Sequence, residues 1–380
     1  MKDETTLATA GRPHHSPSHA VNPPVERAST ILFPTYDEFL AGSRALVYGR
    51  FGTSTHRALE ETIARLEGGH DARLAPSGLQ AVALSLIAFT RAGDRVLVAD
   101  NVYDPTRKFC DRFLARFGVE VAYFDPFTDD MAALMTANTR VVFAESPGSL
   151  TFETPDLRRL AAAARAGGAR FIVDNTWSGG FFLKPIALGA HVSVQAGTKY
   201  LSGHSDLLFG AMTSDCAETS AVLFDALLQL GSNVSADDAY LALRGMRTLA
   251  PRLRRHEATG LELARWLATR DEVARVLHPA LPDAEGHAHW ARDFTGSSGL
   301  FGAVLKPVAT PKLRAFFDAL RLFGMGWSWG GFESLCVHVR PETSRSATRW
   351  SETGPVIRIH AGLEDPGDLI ADLENAFAAM

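Results

Sequence analysis

Hydrophobic and polar positions follow two alternating periodicities between residues 56 and 214. Segments with the spacing of amphipathic helices, "HRALEETIARLEGG", "LQAVALSLIAFTRAG", "RKFCDRFLARFG", "DDMAALMTAN" and "PDLRRLAAAARAGG", alternate with short apolar runs. These runs, which we interpret as strands, are "RVLVAD", "VEVAYFD", "RVVFAES", "RFIVDN", "VSVQAG" and "LLFGAMTS". Short buried strands that alternate with helices are typical of a mostly parallel sheet covered on both faces. The pattern therefore predicts a large α/β domain.

The pattern changes near residue 236. One long helical stretch, 236–270, is followed by strand-like "LFGAVLKP", helical "PKLRAFFDALRLFG", strand-like "VIRIHAG" and a terminal helix, "GDLIADLENAFAAM". We interpret this part as a smaller α+β domain. Residues 1–26, rich in Pro, His, Ser and Ala, predict an arm without a core of its own. The expected organisation is an N-terminal segment over 1–52, a large domain over 53–245 and a C-terminal domain over 246–380.

Composition narrows the class of protein. The 380 residues are 46% hydrophobic and 21% charged, as in a globular protein. The net charge of −5 argues against bulk binding of nucleic acid. The three cysteines fit no zinc or CxxC spacing and indicate free thiols in a reducing compartment. The first residues contain no apolar segment of a signal peptide and no run is long enough for a membrane span, so we expect a cytoplasmic protein.

One lysine stands between two apolar runs. In "VSVQAGTKYLSGHSDLLFG", Lys199 follows the strand that begins at Val192, although the chain has only six lysines against thirty-two arginines. Apolar surroundings disfavour the charged form of an amine. A lysine that loses its proton readily is a nucleophile and forms Schiff bases with carbonyl compounds. We therefore take Lys199 as a candidate catalytic residue.

Other chemical groups follow neighbouring strands. Asp174 ends "RFIVDN", Tyr103 follows "RVLVAD", and Ser77 and Gly78 precede a helix whose free N–H groups suit an anion. Each residue alone has an ordinary explanation as a turn, packing or capping residue. Ligands of open α/β sheets bind beyond the carboxyl ends of the strands, where these residues together predict a site. A lysine, an acid, an aromatic ring and a phosphate-binding helix start are the groups that pyridoxal phosphate (PLP) requires.

The motifs "VDNTW" and "TKYLSGHSD" resemble those of the Cys/Met-metabolism family of PLP enzymes. The resemblance extends over nearly the whole chain, through "YGRFGTSTHRALEETIARLEGG", "SWGGFESL" and "IRIHAGLED". It implies the aspartate-aminotransferase-like fold type I, with PLP as cofactor. "DNTW" and "VQAGTKY" follow the β-lyase branch, whereas the γ branch usually carries "DNTF" and "HSxTKY". The implied reaction is β-elimination from L-cystathionine to homocysteine, pyruvate and ammonia.

The resemblance implies a role for each matching residue at the cofactor. Lys199 would carry the cofactor and move a proton, Asp174 would face its pyridinium nitrogen, and Tyr103 would stack on its ring. The main-chain amides of Gly78 and Leu79 and the hydroxyl of Thr198 would bind its phosphate.

Other matching residues imply contacts with a neighbouring subunit and with the substrate. Tyr48 and Arg50 match a pair that reaches the phosphate of the neighbouring subunit, so residues 1–52 would include an inter-subunit segment. The resemblance therefore implies a homo-oligomer, a tetramer built from two dimers whose subunits share active sites. Arg358 matches the arginine that binds the substrate carboxylate, for which a planar guanidinium is well suited. Ser328 and Trp329 match residues beside that carboxylate, and Tyr48 also borders the substrate.

Several positions depart from the family pattern. Ala196 stands where many members have a phosphate-binding serine, and Ser77, Leu79, Gln80 and Trp327 also differ. Two alternatives stay open: a γ-eliminating or γ-replacing relative, including a sulfhydrylase, and a protein of the same fold that acts only by binding. A nicotinamide enzyme is disfavoured because no strand leads into GxGxxG. The preferred substrate among cystathionine, cystine and other cysteine S-conjugates stays open.

Overall fold

The computed structural model describes residues 1–13, 19–42 and 46–380. The parts of the predicted arm and inter-subunit segment that fall on 14–18 and 43–45 lie outside the described residues. The helices are α1 Asp3–Thr9, α2 Tyr36–Ala41, α3 Ser54–Glu67, α4 Gly78–Ile87, α5 Asp104–Arg112, α6 Met131–Leu134, α7 Leu157–Ala166, α8 Ala217–Gln229, α9 Ala236–Met246, α10 Leu249–Leu267, α11 His287–Asp293, α12 Thr310–Ala319 and α13 Pro366–Ala378. The strands are β1 Asp71–Ala75, β2 Arg95–Ala99, β3 Glu120–Phe124, β4 Thr139–Glu145, β5 Arg170–Asp174, β6 Val192–Gln195, β7 Gly210–Ser214, β8 Val273–Leu277, β9 Leu300–Leu305, β10 Leu335–Val339 and β11 Val356–His360.

The large sheet has the strand order β1-β7-β6-β5-β4-β2-β3. Strand β7 pairs antiparallel with both of its neighbours, and the other pairings are parallel. The central strands are buried over most of their length, because helices pack on the sheet from both sides. The mostly parallel α/β sheet predicted from the sequence is confirmed.

The smaller sheet is antiparallel, in the order β10-β11-β9-β8. Its core forms a second hydrophobic cluster in which α10, α12 and α13 pack against the strands. The strands β9 and β11 and the helices α12 and α13 agree with the sequence pattern of an α+β region. The pattern does not predict β1, β8 or β10.

The helical stretch 236–270 forms two helices, because the chain breaks at Arg247–Thr248 between α9 and α10. Gly245 lies at the break, where a Cβ atom would stand 2.2 Å from the carbonyl oxygen of Ser202. The buried Arg252 closes the break by donating to the carbonyl oxygens of Tyr200, at 2.8 Å, and Gly245, at 2.9 Å. Tertiary contact with the segment that follows Lys199 therefore overrides the helical periodicity.

The start of the chain is more closely attached than the prediction of an arm suggests. Residues Asp3–Thr9 form α1, whose Leu7 is buried in the main core. Arg247 donates to the carbonyl oxygens of Leu7 and Ala10, at 2.6 and 2.8 Å. All three cysteines are free thiols. Within the described ranges, every helix is too short or too polar to cross a bilayer.

Candidate active site

Several of the predicted site residues follow strands of the large sheet at its carboxyl edge. Strand β5 ends at Asp174, β6 ends four residues before Lys199, and β1 ends just before α4. These strands run in the same direction, because β7 alone is reversed between β1 and β6. Parallel order therefore brings residues from three separate segments to one edge.

Lys199 lies in a partly buried pocket between the two sheets. Its Nζ donates to the Oγ of Ser328 at 2.6 Å and stands 5.3 Å from the centre of the Trp329 ring. Burial, followed by the positive charge of Arg358, lowers the pKa of Lys199 to about 8, and Asp174 acts in the opposite direction. The amine can therefore exist unprotonated near neutral pH, as a nucleophile or base must.

Asp174 is buried at the end of β5. Its Oδ1 accepts from the N–H of Thr176 at 3.0 Å and from the Thr176 hydroxyl at 2.6 Å. Burial raises the pKa of Asp174, while these hydrogen bonds and the charge of Lys199 favour the carboxylate. Among the described residues Oδ2 has no donor, so one carboxylate oxygen is left for a ligand.

The N-terminus of α4 lies directly against the segment before Lys199. A Cβ atom on Gly78 would stand 2.4 Å from the Cβ of Ala196, so a side chain cannot be accommodated here. The Ser77 hydroxyl accepts from the N–H of Gln80 at 3.1 Å, which leaves the amides of Gly78 and Leu79 at the helix start for another acceptor. Ala196, the departure from the family pattern, supplies the methyl group that packs on Gly78.

Tyr103 is held at the start of α5 by a carboxylate. Its N–H donates to the Oε2 of Glu145 at 2.6 Å, and its side chain is 47% exposed. Loss of solvation around its hydroxyl raises the pKa of Tyr103, against the effect of Arg358. The ring therefore lies beside the charged groups of the site with one side open to solvent.

Arg358 extends from the small sheet toward the same pocket. It is 9% exposed, and its Nη2 donates to the carbonyl oxygen of Ser328 at 3.0 Å. Burial lowers its pKa to about 10, which still leaves the guanidinium charged at neutral pH. Only one of its donor groups has a partner in the described part of the chain, and a guanidinium has five. The remaining donors are available to a carboxylate.

The loop Ser328–Gly331 packs closely against Lys199. Ser328 has a φ of +86°, and a Cβ on Gly330 would stand 3.0 Å from the main-chain carbonyl carbon of Lys199. The Nε2 of the buried His360 lies 3.1 Å from the main-chain nitrogen of Gly330 and 3.2 Å from the carbonyl oxygen of Gly331, and the tautomer decides which of the two it bonds. Burial holds the pKa of His360 well below its usual value, so its ring is neutral. His360 thus supports the loop that carries Ser328 and Trp329.

Three predicted residues have other contacts in this chain. The Thr198 hydroxyl donates to the carbonyl oxygen of Phe209 and accepts from its N–H, both at 3.1 Å. Tyr48 is 45% exposed, and Arg50 donates to the carbonyl oxygen of Leu228 at 2.6 Å. Neither Tyr48 nor Arg50 contacts the residues around Lys199 within the described ranges. The structure therefore does not complete the pocket with these two residues from the same chain.

Glu145 and His360 are the residues that the sequence interpretation missed. Glu145 is the last residue of "RVVFAE" and pairs in register with Asp174, so the strand-end argument applied to Asp174 would have identified it. His360 is two residues beyond Arg358 on the same strand, which puts both on one face of the sheet. Period-two counting along β11 would have found it.

The arrangement fits pyridoxal phosphate. The aldehyde requires an amine that can lose its proton, which Lys199 provides, and the pyridinium nitrogen requires an acid with a free oxygen, which Asp174 provides. The start of α4 offers amides for a phosphate, and the Gly78–Ala196 contact keeps side chains away from it. The donor set alone would not distinguish β from γ chemistry.

Known proteins resemble the chain over its full length. Residues 4–378 match the model of the family described as Cys/Met metabolism PLP-dependent enzyme. The chain is 42% identical to the cystathionine β-lyase of Salmonella typhimurium, over 99% of this chain and 98% of that protein. It is 44% identical to the cystathionine β-lyase of Bordetella avium, over 94% and 91%. The solved cystathionine γ-synthase of Xanthomonas oryzae in complex with aminoacrylate and cysteine superposes with a TM-score of 0.93 at 30% identity, covering 100% of this chain and 98% of that one.

Proposed function

The chain belongs to the Cys/Met metabolism PLP-dependent enzyme family, and from this premise we propose that it is a carbon–sulfur β-lyase that cleaves L-cystathionine to homocysteine, pyruvate and ammonia. Pyridoxal 5'-phosphate is its cofactor, as predicted from the sequence. The cystathionine β-lyases at 42% and 44% identity support the β-lyase over the γ-lyase, γ-synthase and sulfhydrylase alternatives. The presence of Lys199, Asp174 and Arg358 disfavours a role limited to binding.

One observation carries the proposal. Burial and the charge of Arg358 on the small sheet lower the pKa of Lys199 to about 8, while the charge of Asp174 on the large sheet acts in the opposite direction. When bound, the cofactor supplies an electron sink for the negative charge that develops at the substrate Cα. The protein has to supply a base at Cα, a counter-charge for the pyridinium and an anchor for the substrate carboxylate.

Each of these tasks has a residue in the proposed mechanism. Arg358 binds the substrate carboxylate through the donors that are free in this structure. Neutral Lys199 removes the Cα proton, and Ser328, whose hydroxyl lies 2.6 Å away, orients the amine. Asp174 and Tyr103 would hold the cofactor, Asp174 as the counter-charge of its pyridinium nitrogen. The Cβ–S bond then breaks, homocysteine leaves as the thiolate, and water converts the remaining three-carbon fragment to pyruvate and ammonia.

Trp329 restricts the space around the base. The Nζ of Lys199 stands 5.3 Å from the centre of its ring, and that centre lies 5.4 Å from the centre of the Tyr200 ring. β-Elimination needs one proton removed from Cα, whereas γ-elimination also requires a base to reach Cβ. An indole beside Lys199 favours β-elimination, which requires fewer proton transfers than γ-elimination. Trp327, in contrast, is 80% exposed and has no comparable constraint on it.

The proposal includes a homo-oligomer with shared sites, a tetramer built from dimers, in the cytoplasm. Tyr48 and Arg50 lie apart from their own pocket, as expected for residues that serve the phosphate of a second copy. An apolar groove of about 650 Å³ runs from Leu79 at the phosphate end of α4 to Phe113 and Phe117. These side chains are 39%, 44% and 62% exposed, and a second copy would cover them.

The test is the identity of the keto acid. Purified protein loaded with cofactor is incubated with L-cystathionine, and the products are identified by mass spectrometry. Pyruvate with homocysteine supports the β-lyase, whereas 2-oxobutyrate with cysteine would replace it by the γ-lyase. Lys199→Ala is the control for reaction outside the site. Parallel incubations with cystine and other cysteine S-conjugates rank the substrates.

A further inference from the structure

Glu145 is a second carboxyl group at the sheet edge for which the proposed mechanism has no task. It is the last residue of β4 and lies in register with Asp174 at the end of β5. Acids at adjacent strand ends repel each other when both are charged. A partly buried acid in this position requires an explanation.

The only hydrogen bond of the Glu145 side chain in the described part of the chain is to the main chain of Tyr103. The Tyr103 N–H donates to Oε2 at 2.6 Å across 42 residues of sequence. Tyr103 caps α5, with a φ of −49° and a ψ of 128° outside the helical region, and its own side chain makes no capping bond. The Tyr103 carbonyl oxygen accepts from the N–H groups of Thr106 and Arg107, at 2.9 and 3.2 Å, so Glu145 provides the contact on the N–H side of this residue.

We propose that Glu145 is a positioning residue, which anchors the main chain of Tyr103 so that the ring stays over the cofactor site. This inference rests on the proposed function, because the ring of Tyr103 matters only if a cofactor lies beneath it. Asp174 has two donors on Thr176, whereas Glu145 has one. The negative charge of the pair therefore resides on Asp174.

The protonation of Glu145 agrees with a neutral Glu145 beside a negatively charged Asp174. Burial, followed by the nearby charge of Asp174, raises the pKa of Glu145 well above its usual value. A neutral carboxylic acid still accepts the Tyr103 N–H through its carbonyl oxygen. Glutamine has the same shape and the same acceptor, so it should replace Glu145, while alanine should not.

The first measurement needs no cofactor. Hydrogen–deuterium exchange of the peptide that contains Tyr103 is followed in the cofactor-free protein. Glu145→Ala should raise the exchange rate at this amide about tenfold, on the scale of one lost hydrogen bond, and Glu145→Gln should leave it nearly unchanged. Glu262→Ala, at an exposed glutamate on α10, is the matched control. Unchanged exchange in Glu145→Ala would overturn the anchor.

The second measurement distinguishes a positioning role of Glu145 from an effect on the stability of the protein alone. Glu145→Ala should lower kcat/KM for cystathionine and weaken cofactor binding by about tenfold each, while Glu145→Gln stays within about threefold of the wild type. In the background of Tyr103→Ala, Glu145→Ala should cost no more than about threefold, because it acts through the missing ring. Fully additive losses in the double variant would refute the positioning role.

The outcomes distinguish the two levels of the proposal. If cystathionine is not the substrate, the wild-type protein fails the product test, but the Tyr103 amide still responds to Glu145→Ala in the cofactor-free protein. If Glu145 has no positioning role, the wild type forms pyruvate and homocysteine while exchange and cofactor affinity do not respond. If Glu145→Ala lowers the melting temperature, its results are compared with those of Glu145→Gln, which keeps the acceptor for the Tyr103 N–H.

Discussion

The carboxyl edge of the large sheet and the segment Tyr48–Phe51 are held in different ways. At the sheet edge, Asp174 and the main chain around Lys199 are fixed by buried strands and by glycines in close contact with neighbouring atoms. The segment Tyr48–Phe51 is a short 3₁₀ turn with its cap, attached through Arg50 to Leu228 and carrying an exposed Tyr48. The sheet edge is therefore built by the core of a single chain, whereas the role proposed for Tyr48 and Arg50 requires a second copy.

This difference indicates where substitutions should act. Residues at the sheet edge work within one chain, so their loss cannot be repaired by a partner. Residues on the exposed segment work across copies in our proposal, so their loss can be repaired by mixing.

The largest effect is expected for Lys199→Ala. Removing the base at Cα should lower kcat by about 10³-fold or more, since a positioned base contributes on that scale. Borohydride treatment of the loaded wild type should fix the cofactor on the peptide of Lys199, and this label should vanish in the variant. Lys312→Ala, at an exposed lysine on α12, is the control. Label recovered on Lys184 instead would exclude the assignment.

Arg358→Lys tests the contribution of the small sheet. Lysine keeps the positive charge but loses the planar pair of donors, so kcat/KM should fall by roughly 10²-fold. Cofactor content should remain normal, because Arg358 is not expected to hold the cofactor. Unchanged turnover, or loss of cofactor together with activity, would contradict a role in binding the substrate carboxylate.

The pH dependence of the reactivity of Lys199 tests the electrostatics at the carboxyl edge of the large sheet. A lowered pKa means that the amine loses its proton at lower pH than an ordinary lysine, so in the cofactor-free protein its reaction with pyridoxal should rise through pH 8. The rate of borohydride-trapped product should increase about tenfold between pH 7 and pH 9.

Two substitutions should move this profile in opposite directions. Arg358→Gln removes a charge that lowers the pKa of Lys199 and should shift the midpoint to higher pH. Asp174→Asn removes a charge that raises it and should shift the midpoint to lower pH. A midpoint near the ordinary value of 10.5 in the wild type would show that Lys199 is not buried as described.

The smallest effect is a partial recovery of activity in hybrids. Arg50→Ala and Lys199→Ala proteins, each nearly inactive, are mixed, unfolded mildly and reassembled. If sites are shared in dimers, random pairing should restore about one quarter of the wild-type sites. Arg358→Lys mixed with Lys199→Ala is the control and should restore nothing, because both residues serve one chain's own pocket. Equal recovery in both mixtures, or a fully active monomer, would remove the distinction between the sheet edge and the segment Tyr48–Phe51.

The fold and the centre of the site could be predicted from the sequence because both follow from local patterns. The strand β5 ends where its apolar run ends, and this boundary identifies Asp174. The same rule would have given Glu145, which lies one strand further along the sheet. The break between α9 and α10 does not follow from helical periodicity, which carries no information about the close contact of Gly245 with Ser202.

By itself the sequence determined which polar residues follow which strands and that Lys199 stands at a buried boundary. These features depend on the period of apolar residues and on composition, which are properties of neighbouring positions. Only the tertiary structure decided that Ser328, 129 residues away, meets the amine of Lys199 and that Glu145 holds the amide of Tyr103. Such contacts depend on the order in which strands pair and on how the two sheets face each other. These arrangements arise from the packing of the whole core, since no single segment can bury its apolar face alone.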